Sequence, residues 1–392
     1  MSGGAILTLN AGSSSLKLGL YPQAGDGVLA TGLVEKIGQD GRMRLKDGDG
    51  HPIHAAETGP ADFADHKAAL RTAIAAIETA FPERRIVAVG HRVVHGGANF
   101  SGPVVVDPTH LAAITRLVPL APLHQPHNLE GIHAAMAEFP DAPQVACFDT
   151  AFHRGQPWVN EAFALPREMF DQGIRRYGFH GLSYDYISHE LTRRDPELAR
   201  GRVAVAHLGN GASVCAMRDG RSVASSMGFS TLDGLAMGTR CGQIDPGVLL
   251  YLMEAKGMDA AEIGKLLYHR SGLLGLSGLS NDMRELEAAN TPEAEQAIGY
   301  FTHALRRQIA NMAACLDGLD GLVFSGGIGE NSPLIRARTC QGMGWMGVAL
   351  DEAANAANRS VISAAGSRVK VMVIRTDEES VIAESVRKLT QN

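Results

Sequence analysis

The strongest constraint on the fold is a pattern that occurs twice in the sequence. Residues 7–20 (LTLNAGSSSLKLGL) and residues 206–217 (AHLGNGASVCAM) each contain an apolar strand, an asparagine in a Gly/Ser-rich turn, and a second apolar strand. A pattern that returns about 200 residues later suggests two versions of one supersecondary unit. The match is short and degenerate, so taken alone it leaves chance similarity open.

Other strand-like runs alternate with helical patterns along the chain. Together with the first hairpin, the runs lie at residues 5–10, 16–21, 86–90, 144–148, 202–208, 213–217, 321–325 and 370–375. The clearest helix is 291–316, where apolar residues recur at spacings of three and four. Thr291 is its expected N-cap, Pro292 its first residue, and Gly318 follows its end. This alternation predicts an α/β protein.

Charge and composition exclude several classes of protein. The formal net charge is −6, from 36 basic and 42 acidic residues, and no run of lysine or arginine stands out. This argues against a nucleic-acid partner and against binding to an anionic membrane. No stretch of 18 apolar residues occurs, and the N-terminus lacks the pattern of a signal peptide. We therefore expect neither a membrane span nor export.

The cysteines and histidines do not match a known metal-binding motif. The five cysteines are scattered and never spaced C-x-x-C, which favours reduced thiols and a cytoplasmic location. His91 with His95, and His124 with His127, have metal-like spacing. No Glu or Cys accompanies either pair in the expected pattern, which counts against zinc.

Three loops are rich in glycine, serine and asparagine, at residues 10–15, 209–213 and 325–333. Glycines let the backbone approach a phosphate closely, and serine and asparagine add hydrogen-bond donors. We expect the third loop to lead into a helix that Ser332 caps and Pro333 begins. Neither a P-loop nor a Rossmann motif occurs. Most such loops are only tight turns, but two hairpin turns and a glycine loop together favour an actin-like ATPase with a cleft between paired domains.

The length of the chain supports a two-domain organisation. At 392 residues it exceeds what one hydrophobic core usually accommodates. We place an N-terminal α/β domain at residues 1–150 and a C-terminal, nucleotide-binding α/β domain at residues 151–380. We expect the final helix, about residues 381–392, to pack back on the first domain.

Two arginines lie between glycines, Arg92 in GHRVVHGG and Arg240 in GTRCG. We expect the first segment to follow a strand. The guanidinium group suits forked recognition of carboxylate or phosphate. For either arginine alone, a structural ion pair is an equal alternative. His124 and His180 also lie in polar motifs, where a hydrogen-bonded core histidine is the commoner role.

Nine collinear motifs together resemble the acetate kinase family. They are NAGSSSLK (10–17), GHRVVHGG (90–97), APLHQPHN (121–128), FDTAFH (148–153), RYGFHG (176–181), HLGNGAS (207–213), MGFSTLDGLAMGTRCGQIDP (227–246), GGIGEN (326–331) and TDEES (376–380). The resemblance covers essentially the whole chain. It implies the duplicated actin/hexokinase-like ATPase fold, a homodimer, and Mg²⁺-dependent transfer of phosphoryl between ATP and acetate, with Mn²⁺ as a substitute metal.

The resemblance also assigns roles to residues. Arg92 and Arg240 would grip the carboxylate and the transferring phosphoryl group. His180, with His124 beside it, would stabilise that group in transfer, and Asp149 would be the acidic active-site residue. The metal residues would be Asn10 and Glu378, and the acyl pocket would be Val94, Leu123 and Phe179. The nucleotide residues would be Ser13, Ser15, Lys17, His207, Leu208, Gly209, Asn210, Gly211, Asp282, Met283, Arg284, Gly327, Ile328, Gly329, Glu330 and Asn331.

The chain departs from the usual family motifs at five positions. Gln125 stands where Asn is usual, Tyr184 and Asp377 where His and Asn are usual, and Cys241 and Gln243 where Ser and Asp are usual. None of these five carries a chemical role in the assignment above. They leave nucleotide preference open.

The expected reaction needs positioning and positive charge rather than a general base. A carboxylate is already nucleophilic at neutral pH, so we expect direct in-line transfer, with Asp149 orienting an arginine or the metal.

Propionate or butyrate kinase activity is the first alternative. A sugar kinase of the same fold is the second alternative and would need an aspartate that acts as a base. An actin-like chaperone would need a peptide-binding domain, and a filament protein would polymerise with ATP. Val94 follows Arg92 by two residues, so on an extended segment both side chains lie on the same face. The arginine could then hold the carboxylate while the valine meets its alkyl end. A pocket closed by valine favours acetate.

Overall fold

The computed structural model describes residues 3–53 and 59–390, and the chain divides into two units. Unit 1 consists of Met1–Phe152 together with Asp377–Asn392, and unit 2 consists of His153–Thr376. The C-terminal segment therefore returns to the unit that contains the N-terminal strands.

Thirteen strands occur in the described residues. They are β1 (Gly3–Ala11), β2 (Ser15–Pro22), β3 (Ala30–Glu35), β4 (Arg42–Asp47), β5 (Pro52–Ile53), β6 (Arg84–Val93), β7 (Val104–Val105), β8 (Gln144–Phe148), β9 (Arg202–Leu208), β10 (Ala212–Arg218), β11 (Arg221–Ser225), β12 (Gly321–Ser325) and β13 (Lys370–Val373).

Sixteen α-helices occur in the same part of the chain. They are α1 (His66–Ala80), α2 (Pro108–Thr115), α3 (Gln125–Glu138), α4 (Trp158–Glu161), α5 (Arg167–Asp171), α6 (Gly181–Arg194), α7 (Pro196–Arg200), α8 (Pro246–Glu254), α9 (Ala260–His269), α10 (Gly272–Ser277), α11 (Met283–Ala289), α12 (Pro292–Cys315), α13 (Gly326–Asn331), α14 (Pro333–Gln341), α15 (Glu352–Ala356) and α16 (Glu378–Thr390). Short 3-10 helices lie at Pro60–Phe63, Val118–Leu120, Ala151–His153 and Gly344–Met346. Over residues 3–53 and 59–390, no helix has both the length and the apolar character to cross a bilayer.

Unit 1 is built on one mixed sheet. In its described residues the strand order is β5-β4-β3-β2-β1-β6-β8-β7. β1, β2 and β3 are antiparallel neighbours, whereas β1, β6 and β8 run parallel. Residues 5–9 of β1 are all buried, as is typical of a central strand covered on both faces. Helices α1 and α3 pack together and on these strands, and α16 packs on β1, β6 and β8 through buried Ile382 and Val386.

Unit 2 repeats the same plan. Its sheet has the order β11-β10-β9-β12-β13, with β9, β10 and β11 antiparallel and β9, β12 and β13 parallel. Strands β3-β2-β1-β6-β8 of unit 1 have the same order and the same directions. The two similar sequence segments are the equivalent hairpins β1–β2 and β9–β10. The predicted duplicated α/β fold is thereby confirmed.

The elements with strong apolar patterns were predicted correctly. All eight predicted strands are present, and α12 begins at Pro292 with the Ala294 amide donating to the Thr291 hydroxyl at 3.2 Å. The sequence did not reveal β3, β4, β5, β7 or β11. β4 (RMRLKD) shows why, because it has a single buried residue, and its charged alternate residues resemble a surface loop.

Two local expectations were wrong. Residues 326–331 form helix α13 rather than a loop, because the Glu330 carboxylate accepts a hydrogen bond from the Gly326 amide at 2.9 Å and closes a helical turn. Ser332 then caps α14, as predicted, by accepting from the Ile335 amide at 3.1 Å. Arg92 lies within β6 rather than after it, since it pairs in register with Cys147 of β8.

Candidate active site

The centre of the candidate site in unit 1 is the guanidinium group of Arg92. Its Nε and one terminal nitrogen donate to the two Asp149 carboxylate oxygens at 2.9 and 2.6 Å. The other terminal nitrogen donates to Asn10 Oδ1 at 3.2 Å, and a Glu378 oxygen lies 3.9 Å from Nε. Three residues from three separate motifs thus surround one cation.

Strand topology explains this gathering. Asn10 lies near the end of β1, Arg92 near the end of β6, and Asp149 directly after β8. These three strands are parallel neighbours, and the carboxyl ends of parallel strands meet at one edge of a sheet. The Asp149 amide donates to the Val93 carbonyl at 3.0 Å, which holds the carboxylate beside the arginine. Glu378 reaches the group as the first residue of α16.

The pKa values of Arg92 and Glu378 are shifted from their ordinary values in this cluster. Burial disfavours the charged form of Arg92, but attraction and hydrogen bonds from Asp149 outweigh it, so the pKa of the guanidinium is raised. Burial also raises the pKa of Glu378 to about 7. Attraction to Arg92 opposes this rise, and repulsion from Asp149 and Glu379 adds to it. Glu378 is therefore a carboxyl group that an additional cation would stabilise in its charged form.

Asn10 and Glu378 fit a hard divalent metal. Both present oxygen ligands, as Mg²⁺ and Mn²⁺ prefer, and both lie against Arg92. Excess negative charge from Asp149, Glu378 and Glu379 surrounds the single guanidinium, which also suits a dication. The Lys17 ammonium group, half exposed, pairs with Glu379 at 2.6 Å. Ser13 is exposed in the turn that joins β1 to β2, and Ser15, the first residue of β2, is half-buried.

The segment after Arg92 is held by α3. The Val94 amide donates to Asn128 Oδ1 at 2.9 Å, and Asn128 Nδ2 donates to the Ala11 carbonyl at 2.9 Å. The His95 amide donates to Gln125 Oε1 at 3.2 Å, and Gln125 Nε2 returns a bond to the His95 carbonyl at 3.0 Å. Gln125 is fully buried, so this departure from the family motif is structural. Motif reading alone did not reveal the anchoring role of Asn128.

The residues expected around the acyl group lie in both units. In unit 1 the Val94 side chain is buried, Leu123 is 39% exposed, and His124 is half-buried at the N-cap of α3. In unit 2 Phe179 is buried, and its carbonyl accepts a hydrogen bond from His153 Nε2 at 2.9 Å. The shared acyl pocket stays a prediction.

His180 in unit 2 adopts a strained backbone conformation. Its φ of 59° and ψ of 25° are left-handed, an arrangement that costs a non-glycine residue about 1–3 kcal/mol and is concentrated at functional sites. Its Nδ1 lies 2.8 Å from the Ser213 hydroxyl, which lies 2.5 Å from the Tyr184 hydroxyl. Burial raises the pKa of Tyr184 well above its usual value, so this hydroxyl stays protonated. The His180 ring also stacks on His207, with centroids 4.3 Å apart.

His180 and Arg240 approach the turn after β9. A Cβ placed on Gly211 would lie 3.1 Å from His180 Nε2 and 3.8 Å from an Arg240 terminal nitrogen. The absence of a side chain at Gly211 thus leaves space between these two groups. The loop that carries Arg240 is bonded to the same turn, because the Gly238 amide donates to the Asn210 carbonyl at 3.1 Å.

Most of the residues expected to bind nucleotide in unit 2 line one cavity of about 520 Å³. The predicted residues among its walls are Gly209, Asn210, Asp282, Met283, Arg284, Gly327, Ile328 and Asn331. Asn281, Glu287 and Ser332 complete the walls and were not predicted. Cavities that hold small molecules are typically 300–1,000 Å³. Asn281 could have been predicted, because it adjoins the predicted 282–284 segment. Glu287 could not, because only the fold brings its carboxylate to the Ser332 hydroxyl, which donates to it at 2.5 Å.

Several expected nucleotide residues have a different immediate role in the fold. The Glu330 carboxylate accepts hydrogen bonds from the Gly326 and Thr376 amides, at 2.9 and 3.1 Å. Leu208 and Gly329 are buried and are not among the residues that line the cavity. His207 Nδ1 lies 2.8 Å from the Ser183 hydroxyl. Gly326 has a φ of 75°, and a Cβ there would lie 2.7 Å from the Leu208 carbonyl oxygen, so only glycine fits.

Comparison with known proteins identifies relatives over nearly the full chain. The model of the acetokinase family matches residues 5–384. The chain is 56% identical over 387 residues to an acetate kinase of Methylocella silvestris, covering 96% of each chain. It is 50% identical over 392 residues to an acetate kinase of Rhodopseudomonas palustris, covering 98% of each.

Solved structures show the same fold. A propionate kinase from Francisella tularensis superposes with a TM-score of 0.92 at 38% identity, covering 98% of this chain and all of that one. Porphyromonas gingivalis acetate kinase superposes with a TM-score of 0.88, also at 38% identity, covering 98% of this chain and 99% of that one.

Proposed function

The chain belongs to the acetokinase family, and on this premise we propose that it is an acetate kinase. An acetate oxygen attacks the γ-phosphorus of ATP, the bond to the bridging oxygen breaks, and acetyl phosphate and ADP leave. The reverse reaction makes ATP. The observation that supports this best is the partly buried Arg92 guanidinium, held by Asp149 beside the side-chain oxygens of Asn10 and Glu378.

The electrostatic demand of the reaction explains why such a cluster is useful. A carboxylate and a γ-phosphoryl oxygen both carry negative charge, and two unit charges about 4 Å apart repel by about 4 kcal/mol at an effective dielectric of about 20. Fixed cations must offset this repulsion where charge develops. We assign this task to Arg92 and Arg240, with Arg92 on the acetate carboxylate.

Asp149 acts through Arg92 in this scheme. Its two oxygens fix the plane of the guanidinium group through Nε and one terminal nitrogen. The remaining terminal nitrogen donates one N–H to Asn10 Oδ1, and we propose that its second N–H binds the anion. Because acetate needs no deprotonation at neutral pH, Asp149 need not act as a base.

Asn10 and Glu378 are the residues that we propose hold Mg²⁺ or Mn²⁺. When bound, this metal would neutralise charge on the β- and γ-phosphate oxygens. Glu378 supplies the negative charge once it is ionised, and because burial raises its pKa to about 7, the metal would displace a proton from it near neutral pH. Asn10 Oδ1 keeps a second lone pair while it accepts from Arg92.

His180 is proposed to donate a hydrogen bond to the phosphoryl group from Nε2. A protonated Tyr184 hydroxyl can donate to Ser213, and the Ser213 hydroxyl can donate to His180 Nδ1. In neutral imidazole this leaves the proton on Nε2, the nitrogen nearest Gly211. His124 is the proposed second histidine of the site.

ATP or ADP is proposed to occupy the cavity of unit 2. Gly209 and Asn210 line it from the β9–β10 turn, and α13 brings Gly327 and Ile328 at its N-terminus. The proposed site extends over Leu208, Gly211, Gly329 and Asn331, with Asp282 to Arg284 towards the adenosine. His207 and Glu330 support these loops, and Ser13, Ser15 and Lys17 form a phosphate-facing hairpin in unit 1.

Propionate is the alternative acceptor, and it has a specific observation behind it. The Francisella tularensis relative of known structure is a propionate kinase, as similar to this chain as the Porphyromonas gingivalis acetate kinase is. We favour acetate because Val94, a branched residue, stands two positions after Arg92 and is buried. One methylene is worth only about 1–3 kcal/mol of discrimination, so propionate should be a poor but measurable substrate.

A homodimer is the proposed assembly. Helix α8 has no buried residue, and Val248, Leu250, Tyr251 and Met253 expose 40–57% of their surface. Apolar patches of this kind commonly mark contacts between subunits. Light scattering of the purified chain tests this, and Leu250→Lys should shift the mass towards the monomer.

The five free cysteines suit the proposed cytoplasmic location.

One assay tests the proposed reaction. Hydroxylamine traps acyl phosphates, so hydroxamate formation is measured with ATP and Mg²⁺ for acetate, propionate and butyrate in parallel. We expect the highest kcat/KM for acetate and no product without nucleotide. A preference for propionate would replace the proposed acceptor, and no hydroxamate from any of the three acids would refute the proposed activity.

A further inference from the structure

A cluster of two histidines and a glutamate lies in unit 1 where α1 meets α3. His66 is the first residue of α1, and His127 and Glu130 are one turn apart on α3. His66 is 8% exposed, and its ring stacks on that of His127 with centroids 5.7 Å apart. None of the three has a role in the proposed reaction.

The hydrogen bond of His66 determines which of its nitrogens is available. Nε2 lies 2.6 Å from the Gly12 carbonyl oxygen, and a carbonyl can only accept, so Nε2 carries a proton. In neutral imidazole the lone pair is then on Nδ1, which faces Glu130. A histidine whose second nitrogen donates to a backbone carbonyl is the usual arrangement of a metal ligand.

The distances between the three side chains suit a shared ion. Glu130 Oε2 lies 3.5 Å from His66 Nδ1 and 3.2 Å from His127 Nδ1, and the three ligand atoms all lie within 4.8 Å of one another. Charge-assisted hydrogen bonds are shorter, about 2.7–2.9 Å. Tetrahedral zinc with bonds of about 2.05 Å separates neighbouring ligand atoms by about 3.3 Å.

We propose that His66, His127 and Glu130 bind a divalent transition-metal ion, with zinc as the best fit. Two imidazole nitrogens and one carboxylate oxygen favour Zn²⁺, Co²⁺ or Ni²⁺ over the Mg²⁺ of an oxygen-only site. A cavity of about 460 Å³, lined partly by His66, Glu130 and His133, leaves room for water at a fourth position. The ion binds through three protein ligands and keeps one exchangeable position.

The site is linked to the β1–β2 turn by one hydrogen bond. A metal on Nδ1 polarises the His66 ring, so Nε2–H becomes a stronger donor to the Gly12 carbonyl. Gly12 also donates to the Ser15 carbonyl at 2.9 Å, across the turn. Metal binding should therefore slow amide hydrogen exchange at the Gly12–Ser15 turn, a measurement independent of enzyme activity.

The test is a titration of the full chain, without a histidine tag, with Co²⁺ and with Zn²⁺. Excess Mg²⁺ is present throughout to occupy sites made of oxygen ligands. We expect one equivalent of Co²⁺ to give the visible ligand-field bands of a four-coordinate ion, and Zn²⁺ to displace them. His127→Ala and Glu130→Gln should each weaken binding at least about tenfold, since even groups outside the ligand shell contribute that much.

The controls distinguish this site from others. Glu130 is exposed, so Glu130→Gln carries little risk to folding, and circular dichroism checks His127→Ala. His189→Ala removes an exposed histidine that lies 3.9 Å from a single carboxylate, Asp185, in unit 2, and this variant should bind like the parent. If the parent gives no such bands, the cluster is an ion pair only. If both cluster variants bind like the parent, the ion lies elsewhere; either result overturns the proposal.

Discussion

The pair formed by Arg92 and Asp149 should be coupled far more strongly than an equivalent pair at the surface. The Asp149 side chain is 2% exposed and that of Arg92 22%. Removing one member of a buried pair leaves a buried charge without a partner, and this typically costs about 3–5 kcal/mol. We therefore expect Arg92→Ala to lower the free energy of unfolding of unit 1 by about that amount. Arg92→Ala with Asp149→Ala should recover much of the loss.

The chain contains a matched control for this experiment. Arg202 and Asp320 in unit 2 have the same two-pronged geometry, with distances of 2.9 and 2.6 Å, but each side chain is 39% exposed. Solvent screens this pair, so a double-mutant cycle on it should give a clearly smaller coupling energy. The two bonds that join guanidinium and carboxylate match in length, so burial is the main difference between the pairs. The outer contacts differ, because Arg92 also contacts Asn10 and Glu378 while Arg202 also donates to the Asp317 carbonyl.

Urea unfolding measures both cycles. Both tryptophans, Trp158 and Trp345, lie in unit 2, so fluorescence follows unit 2, whereas far-ultraviolet circular dichroism follows both units. If the units unfold together, the two signals coincide and one transition serves for both cycles. Equal coupling energies for the two pairs would refute the argument from burial. In the hydroxamate assay Arg92→Ala should lose roughly 10²–10⁴ in kcat/KM, and near-normal activity would remove Arg92 from the proposed site.

Four further substitutions test other parts of the proposed site. Val94→Ala should raise the propionate-to-acetate ratio of kcat/KM about tenfold, and an unchanged ratio would mean that Val94 does not meet the acyl group. Gly211→Ala places a Cβ 3.1 Å from His180 Nε2 and should lower kcat about tenfold with the fold intact by circular dichroism; normal kcat would show that this space is not needed. Tyr184→Phe removes one hydrogen bond of about 1 kcal/mol, so kcat should fall about fivefold while the KM for ATP is kept, whereas a change in KM alone would contradict the proposed relay. Glu378→Ala should raise the Mg²⁺ concentration for half-maximal rate, and a titration like that of the parent would place the metal elsewhere.

The hairpins of the repeat could be predicted because they depend on local apolar patterns, whereas the residues around Arg92 were predicted through the motifs that resemble the acetate kinase family. Asn10 and Arg92 lie near the ends of apolar strands and Asp149 directly follows one. Parallel strands bring their carboxyl ends together, so the meeting of these residues follows from topology once the strands are known. The ion pair of Lys17 with Glu379 could not be predicted, because no local spacing relates residues so far apart in the chain.

The same limit explains why the sequence did not reveal the cluster of His66, His127 and Glu130. Sequence spacing pairs His127 with His124, and no accompanying Glu or Cys fits a zinc motif there. The partners that the fold supplies are Glu130, one helical turn onward, and His66, which comes from a separate helix. Motif spacing describes ligands that share one element, whereas packing of α1 on α3 creates a cluster that no motif contains.

The return of α16 to unit 1 has a consequence for biosynthesis. Residues 153–376, the whole of unit 2, emerge from the ribosome between the sheet of unit 1 and the helix that covers β1, β6 and β8. At about 5–20 residues per second, this interval lasts on the order of 10–45 seconds. During that time the nascent sheet exposes the apolar surface that Ile382 and Val386 later bury, and Arg92 lacks Glu378. A chaperone that recognises apolar strands would therefore meet this chain during its synthesis, and a ribosome that stalls before codon 378 would release a chain without its proposed metal ligand.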